Sequence, residues 1–366
     1  MNDAKWTLLV GAGVVGLPTA VQLAAADVPL ILCDDDIVTE ENLRKQRFFA
    51  RHVGLPKVIA ADDLIHTHVP KAKTRLLPVD ARSLGVGFLL EHVGCVIACV
   101  DGRGSESFLA RQCNVTGLPY VREATRGESR VVDVTFVPPP HGPTDPCGGC
   151  TFTEADLALA DARYRCGGNA NNPDAGALTF AEHGALAASL AVDALLRNEL
   201  APARTIRFGG GPQPRLDTTL LPSSSGCLLA DPRWGHGPAN WVSSGRMDQL
   251  RVGQLLDAAC EQLGSSGEEL TCQFDVALCP ERLCRKCGAS MGPGFYHHGT
   301  PDLCCERCGG LVEQCPRPPV REVNGVVLES LADRTLAELG APRGVGFRFV
   351  NGKLRQFNIC AAAGAI

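Results

Sequence analysis

From Trp6 to about Pro140 the chain alternates short β-branched runs with stretches of helical periodicity, the pattern of a parallel sheet covered by helices. Strands are predicted at Trp6 to Val10, Pro29 to Cys33, Thr74 to Val79, Cys95 to Val100, Pro119 to Arg122 and Arg130 to Val137. Between the first two, Gly11-Ala-Gly13-Val-Val-Gly16 forms a turn that opens an Ala-rich helix. Pro18 is tolerated there, because the first helical turn needs no backbone donor at that position. The Pro-rich run from Val137 to Pro146 sustains neither a helix nor a central strand, so it leaves the sheet.

Beyond that loop, Ala181 to Leu200 is apolar nearly all round and suits a buried or interface helix. Gly and Pro dominate Gly209 to Gly237. In the tail, Ser330 can cap a helix with Asp333 in its first turn, Gly340 stands where a left-handed cap belongs, and Pro342 prevents continuation. Phe347 to Val350 and Lys353 to Asn358 flank Asn351-Gly352, the signal of a type I′ hairpin.

Composition narrows the class. A chain of 366 residues is long enough for two or three domains, and a net charge of −5 offers no electrostatic reason to expect nucleic acid. No stretch reads as a secretory signal and no apolar run reaches membrane length, so the expected location is the cytoplasm. Many of the 18 cysteines crowd between Cys272 and Cys308, several as CxxC pairs, which reads as metal binding rather than disulfides.

The glycine turn by itself says only that the backbone approaches a phosphate at a helix N-terminus. Asp34 ends the second strand, where an acidic side chain can bond a ribose hydroxyl of either NAD or ATP. The following residues separate the two: Asp34-Asp-Asp36-Ile-Val-Thr-Glu-Glu-Asn42-Leu-Arg44-Lys45-Gln46-Arg47, then Val53-Gly-Leu-Pro-Lys57. A dehydrogenase has no use for this text, and no catalytic acid or base for hydride transfer is evident.

With Val96-Ile-Ala-Cys-Val-Asp101 and Pro146-Cys147-Gly-Gly-Cys150, these blocks resemble the ThiF/MoeB superfamily, which includes the ubiquitin-activating enzymes. The resemblance covers roughly residues 6 to 227. It implies a doubly wound, Rossmann-like α/β fold that adenylates a protein C-terminus with ATP and Mg²⁺. Gly11, Gly13, Gly16, Asp34 and Asp36 would cradle the nucleotide. Asn42, Lys45, Gln46 and Lys57 would contact its phosphates, with Arg44 and Arg47 nearby, and Asp101 would hold Mg²⁺. Cations there make chemical sense, since adenylation must neutralise a developing polyanion.

Three departures stand out. Lys45 occupies a position where the family usually has Arg, turning a bidentate contact into a point charge unless Arg44 or Arg47 substitutes. Gly102 and Glu106 replace the Asn and Arg that normally follow the Mg-binding Asp. The stretch before Trp6 is too short for the usual helix carrying a partner-donated arginine.

Cys166 falls in the crossover segment where thioester- or persulfide-forming members place their nucleophile, and Arg163 and Arg165 would lower its pKa. The alternatives are a spare or zinc-bound thiol, with Cys227 and Cys113 as lesser nucleophile candidates. Cys284-Arg-Lys-Cys287 and Cys305-Glu-Arg-Cys308, 17 residues apart, suit tetrahedral Zn²⁺, with Cys304 or Cys279 able to exchange into the set. Cys147 and Cys150 form half of a second zinc site. The region after the sheet offers only Cys227, so Cys166 or His236 would complete it, or the far knuckles would, or the metal is lost. His183, His297 and His298 read as packing or solvated residues.

The expected architecture is an adenylation domain over 1–227, with the crossover at about 151–180. A linker and helical segment (228–275), a zinc-knuckle region (276–318) and a small α/β module (319–366) follow. The substrate would be a ubiquitin-like protein ending in glycine, activated as an acyl-adenylate, passed to a cysteine as a thioester and then to a conjugating enzyme, with the chain acting as a homodimer. Sulfuration of a carrier protein, and an inactive nucleotide-binding scaffold, are the alternatives.

Overall fold

The structure, a computed structural model, describes residues 5–126, 131–139, 145–155, 177–209, 213–222, 227, 240–295, 304–313, 319–352 and 355–364. The chain divides into two compact units: residues 1–81 with 92–238, and residues 82–91 with 239–366.

The first unit is built on an eight-stranded sheet. Its strands are β1 (Trp6–Val10), β2 (Leu30–Cys33), β3 (Thr74–Leu77), β4 (Val93–Ala98), β5 (Tyr120–Arg126), β6 (Val131–Val137), β7 (Arg204–Gly209) and β8 (Arg215–Leu220), in the order β3-β2-β1-β4-β5-β6-β7-β8. The first five are parallel, and β6 to β8 continue antiparallel. The central parallel strands β1, β2 and β4 are mostly buried, apolar runs, as strands covered on both faces require. The α/β sheet expected from the alternating pattern is present, but it is mixed: the strand expected at Arg130 to Val137 joins antiparallel as β6. Because the chain runs from β1 outward to β3 and then returns to β4 on the other side of β1, a crevice opens at the carboxyl ends of β1 and β4.

The helices over the same stretch of chain are α1 (Gly16–Ala25), α2 (Asn42–Lys45), α3 (Lys57–His68), α4 (Val86–His92), α5 (Arg103–Thr116) and α6 (Ala177–Leu196). All but α4 belong to the first unit; α4, except for its last residue, belongs to the second. The Ala-rich α6 is buried as its composition demands. Ala187, Ala188 and Ala191 are fully enclosed, and Gly184 brings its backbone so close to Val14 that a Cβ would overlap the Val14 carbonyl. His183 is buried on this helix near Phe208, a packing position.

The second unit carries a six-stranded sheet. Its strands are β9 (Trp241–Arg246), β10 (Leu270–Cys279), β12 (Gly294–Phe295), β14 (Val320–Asn324), β15 (Gly346–Asn351) and β16 (Gln356–Ala362). A separate ribbon pairs β11 (Leu283–Cys284) with β13 (Val312–Glu313). Phe274, Phe295 and Phe347 meet edge to face at its centre, with centroids 5.7 to 6.3 Å apart. Helix α7 (Val252–Leu263) buries Leu255, Leu256 and Ala259, and ends on Gly264 in the left-handed region. Thus 228–275, read from the sequence as linker and helix, contributes β9, α7 and most of β10 to this unit. β15 and β16 form the antiparallel pair flanking Asn351-Gly352.

The helix expected from Ser330 is displaced. Helix α8 spans Gly325–Glu329 and is capped by Asn324, whose side-chain oxygen accepts the Val327 N–H; Ser330 is where it ends. Turns follow. Thr335 and Glu338 cap one reciprocally, and Gly340 takes φ +66°. Asn324 starts the helix because its side-chain oxygen satisfies the first-turn Val327 N–H three residues on.

Candidate functional site

The glycine turn sits at the tip of β1. Gly11 adopts φ +94° with its backbone pressed on the Cys99 carbonyl, and a Cβ on Gly16 would overlap the Gly11 carbonyl. These two glycines let the turn fold tightly between β1, β4 and the start of α1. Asp34, at the tip of β2, accepts the Ala12 N–H at 2.7 Å and the Asp36 N–H at 2.9 Å, so it ties the turn to the second strand. Burial pushes its carboxyl up to about 6, against the opposing pull of Lys57 and of those two amides. The three carboxylates of Asp34, Asp35 and Asp36 lie within 4.8 Å of one another, closer than strand alternation predicts for Asp35.

The residues the resemblance assigned to phosphates surround this turn. The buried Lys57 ammonium lies 2.8 Å from the exposed Asp36 carboxylate. The Gln46 amide lies over Gly13, 3.7 Å from where a Cβ would stand. Asn42 accepts the Thr39 N–H, which shapes the start of α2, and the half-buried Lys45 pairs with the exposed Glu41 at 3.1 Å. Arg44 lies one residue before Lys45 in this short helix. Arg47 lines an apolar cavity of about 240 Å³ with Leu17, Pro18 and Phe49. Asp101 is exposed past the end of β4, just before α5.

On the far side of β4, two glutamates are buried: Glu106, which the sequence showed only as a departure from the family pattern, and Glu123, which it did not single out. Glu106 accepts the Arg103 Nη1 at 2.6 Å and the Arg122 Nε at 2.8 Å. Burial works against the Arg122 charge, but Glu106 more than offsets it and holds the guanidinium above its ordinary value. Glu123, 1% exposed, meets the Thr19 hydroxyl at 2.9 Å. That hydroxyl has one proton and also lies 2.9 Å from the Val15 carbonyl. If the carbonyl takes it, Glu123 must carry a proton of its own, which agrees with burial pushing its carboxyl up to about 8. The available signal was alternation along β5, which points Glu123 to the same face as Val121.

Two thiol clusters form. Cys284, Cys287, Cys305 and Cys308 gather all four sulfurs within 4.8 Å, with Cys284 to Cys308 at 3.4 Å and Cys287 to Cys305 at 3.8 Å. A tetrahedral ion with Zn–S bonds of about 2.3 Å separates its sulfurs by roughly 3.8 Å, so this cluster could hold zinc. The amides of Cys287 and Lys286 both donate to the Cys284 sulfur, and the Cys287 amide leads in pulling that thiol down to about 6. Cys304 is exposed and Cys279 lies within β10.

The second cluster joins Cys147 and Cys150 to Cys227, with sulfurs 3.6 and 4.0 Å from Cys147. It gathers three thiols among the described residues. The candidate completing ligands Cys166 and His236 lie outside the described residues, as do His297 and His298. Cys113 is buried in α5, where desolvation drives its thiol far above the ordinary value, a poor setting for a nucleophile.

A family model described as the ThiF family matches residues 3–224. The chain belongs to the ThiF family.

Among ThiF-related proteins, the adenylyltransferase and sulfurtransferase UBA4 of Yarrowia lipolytica is 28% identical over 158 residues, 40% of each chain. The protein of the same name from Aspergillus fumigatus is 30% identical over 41% of this chain and 31% of its own. The SAMP-activating enzyme E1 of Haloferax volcanii is 29% identical over 40% of this chain and 53% of its own. The chain thus spans between a third and about half of these relatives. A crystal structure of E. coli MccB with ATP is similar over 62% of this chain and 65% of that one, at 16% identity and a TM-score of 0.48. No described helix is long and apolar enough to cross a membrane.

Proposed function

We propose that the chain uses ATP to adenylate the C-terminal glycine of a small ubiquitin-like or sulfur-carrier protein. The observation that carries this is the glycine turn tied to Asp34 at the β1/β4 crevice, with Asp101 at its rim, in a member of the ThiF family. The ribose would lie at Asp34 and the phosphates on the turn and the N-terminus of α1. The carrier's carboxylate oxygen attacks the α-phosphorus, the bond to the β-phosphate oxygen breaks, and pyrophosphate leaves. Lys57, Lys45 and Gln46 would neutralise and orient the polyphosphate, with Asn42 shaping their segment. Asp101 would hold Mg²⁺, which supplies charge neutralisation on the phosphates.

Two fates of the acyl-adenylate follow. In one, the Cys166 thiolate attacks the acyl carbon, AMP leaves, and the thioester passes to a conjugating enzyme docked on the second unit. In the other, a sulfide-level sulfur donor attacks the acyl carbon, the bond to AMP breaks and AMP leaves, and the carrier departs as a thiocarboxylate. The names of the UBA4 relatives, which pair adenylyltransferase with sulfurtransferase, favour the second. Zn²⁺ at Cys284, Cys287, Cys305 and Cys308 is structural in either case, and a homodimer is the expected assembly.

The test is ATP–pyrophosphate exchange with purified ubiquitin-like and sulfur-carrier proteins ending in Gly-Gly, for the intact chain, Asp101→Ala and Cys166→Ala. Exchange that requires Asp101 and survives loss of Cys166 is expected. Nucleotide binding with no exchange on any such carrier would favour the inactive scaffold.

A further inference from the structure

Beneath the glycine turn, a chain of hydrogen bonds joins the start of α1 to β5. Val15 is the N-cap of α1, and its carbonyl accepts the Thr19 N–H at 3.3 Å. The same carbonyl lies 2.9 Å from the Thr19 hydroxyl, which in turn lies 2.9 Å from Oε2 of Glu123. Thr19 and Glu123 are 0% and 1% exposed, so the chain is closed off from bulk solvent.

Thr19 has one hydroxyl proton for two acceptors. With Glu123 protonated, its O–H donates to Thr19 and Thr19 donates to Val15, which leaves only the neutral Oε1 without a partner. With Glu123 ionised, the Thr19 proton turns to the carboxylate, Val15 loses that donor, and a charged oxygen stands buried and unsatisfied, which costs more. The described neighbours offer no cation. Helix α1 carries no charged residue, Cys99 is held as a thiol by burial with Glu123 adding to the push, and Val134 lies beside Glu123 on β6. Helix α6 packs on β5 and buries His183, while its Glu182 and Asp193 are exposed. Arg122 and Asp133 alternate to the opposite face, where they meet Glu106 and Arg207. Burial accordingly pushes the Glu123 carboxyl up to about 8, with the Thr19 hydrogen bond pulling the other way.

We infer that Glu123 is a positioning residue for the nucleotide: protonated, it backs the start of α1 as a phosphate site through Thr19, and ionised, it opposes the phosphates by charge. The inference rests on the adenylation reading. Two hydrogen bonds separate the carboxyl from the Val15 carbonyl, at the turn on which the phosphates would rest. Like charges about 10 Å apart, at an effective dielectric constant of about 20, repel enough to weaken binding about 10-fold.

Calorimetric titration of the full chain with Mg-ATP at pH 7 and pH 9.5 tests it, with circular dichroism to show that the chain is folded at both. The parent's affinity falls about 10-fold between them, while its affinity for adenosine, which has no phosphate, stays level. Glu123→Gln, which still donates to Thr19 and cannot ionise, holds the parent's pH 7 affinity at both. Thr19→Val removes the hydrogen bond that eases ionisation, so the fall moves to higher pH, and this variant carries the test if Glu123→Gln does not fold. A flat parent profile, a fall that persists in Glu123→Gln or keeps its midpoint in Thr19→Val, or an equal fall with adenosine overturns the proposal while the adenylation reading stands. An intact chain that binds Mg-ATP at neither pH overturns both.

Discussion

The knuckle of the second unit and the glycine turn of the first are both short, glycine-bearing loops, yet their glycines serve different ends. Gly288 and Gly309 follow the second cysteine of each CxxC pair at φ +67° and +65°, and a Cβ at either would meet nothing within 4 Å; they are there for backbone angle alone. Gly11 and Gly16 are there because neighbouring backbone occupies the space a side chain would need. The supports differ as well. The turn rests on a large core that includes Leu9, Leu32, Val58, Ile97 and Val121, whereas the knuckle's own buried cluster is Cys284, Cys305 and Val312. A loop with so little apolar burial is ordered by its thiols and whatever they hold, and the turn by the sheet beneath it.

The sharpest way to break this comparison is to take away metal. A strong zinc chelator should abolish amide-exchange protection over residues 283–295 and 304–313, measured by mass spectrometry, and leave Trp6 to Cys33 protected. Persisting protection in the knuckle would mean that its fold does not need an ion. Gly16→Ala attacks the turn where it has no room. It should cost roughly 3 kcal/mol in chemical denaturation and remove nucleotide binding, unless the turn can shift as a body.

Glu123 tests how far the core beneath the turn tolerates charge. Its folded value of about 8 lies above the ordinary 4.5, so between those values the folded chain holds a proton that the unfolded chain releases. Stability therefore falls as pH rises through this window. Glu123→Gln should denature like the parent near pH 5 and be more stable above pH 8, by an amount on the order of 5 kcal/mol. A gap that does not widen with pH would show that Glu123 is not held neutral. Asp34 gives the parent a slope of the same sign up to about 6, which the variant keeps. The smallest effect belongs to Gly288→Asn, since Asn accepts the left-handed region and nothing crowds the site. Zinc content should be unchanged and stability altered by less than about 1 kcal/mol. Loss of metal in that variant would mean that this glycine is also needed for space.

Much of the site could be read from the chain because it is written locally. The run from Gly11 to Gly16 marks the turn, Asp34 ends a strand two elements away, and each CxxC pair is a single knuckle. What escaped depends on residues far apart in sequence. Glu123 meets Thr19 across 104 positions and Arg122 reaches Glu106 between a strand and a helix, whereas Cys227, the third thiol expected beside Cys147 and Cys150, does meet Cys147 across 80. The tail misled for a local reason: Ser330 has the chemistry of a helix starter, but the cap is made by Asn324, whose side-chain oxygen accepts the Val327 N–H.

The sequence by itself determined the alternation of strands and helices, the glycine turn with its acidic partner, and the four knuckle thiols, because propensity, spacing and ligand chemistry act over a few residues. Only the tertiary structure decided that residues 82–91 belong with 239–366, that β9 pairs with β16 more than a hundred positions later, and that three thiols of the first unit meet. It also decided that Arg103, Glu106 and Arg122 form one cluster beside the crevice. Those outcomes depend on which surfaces bury one another, and burial is a property of the whole folded chain.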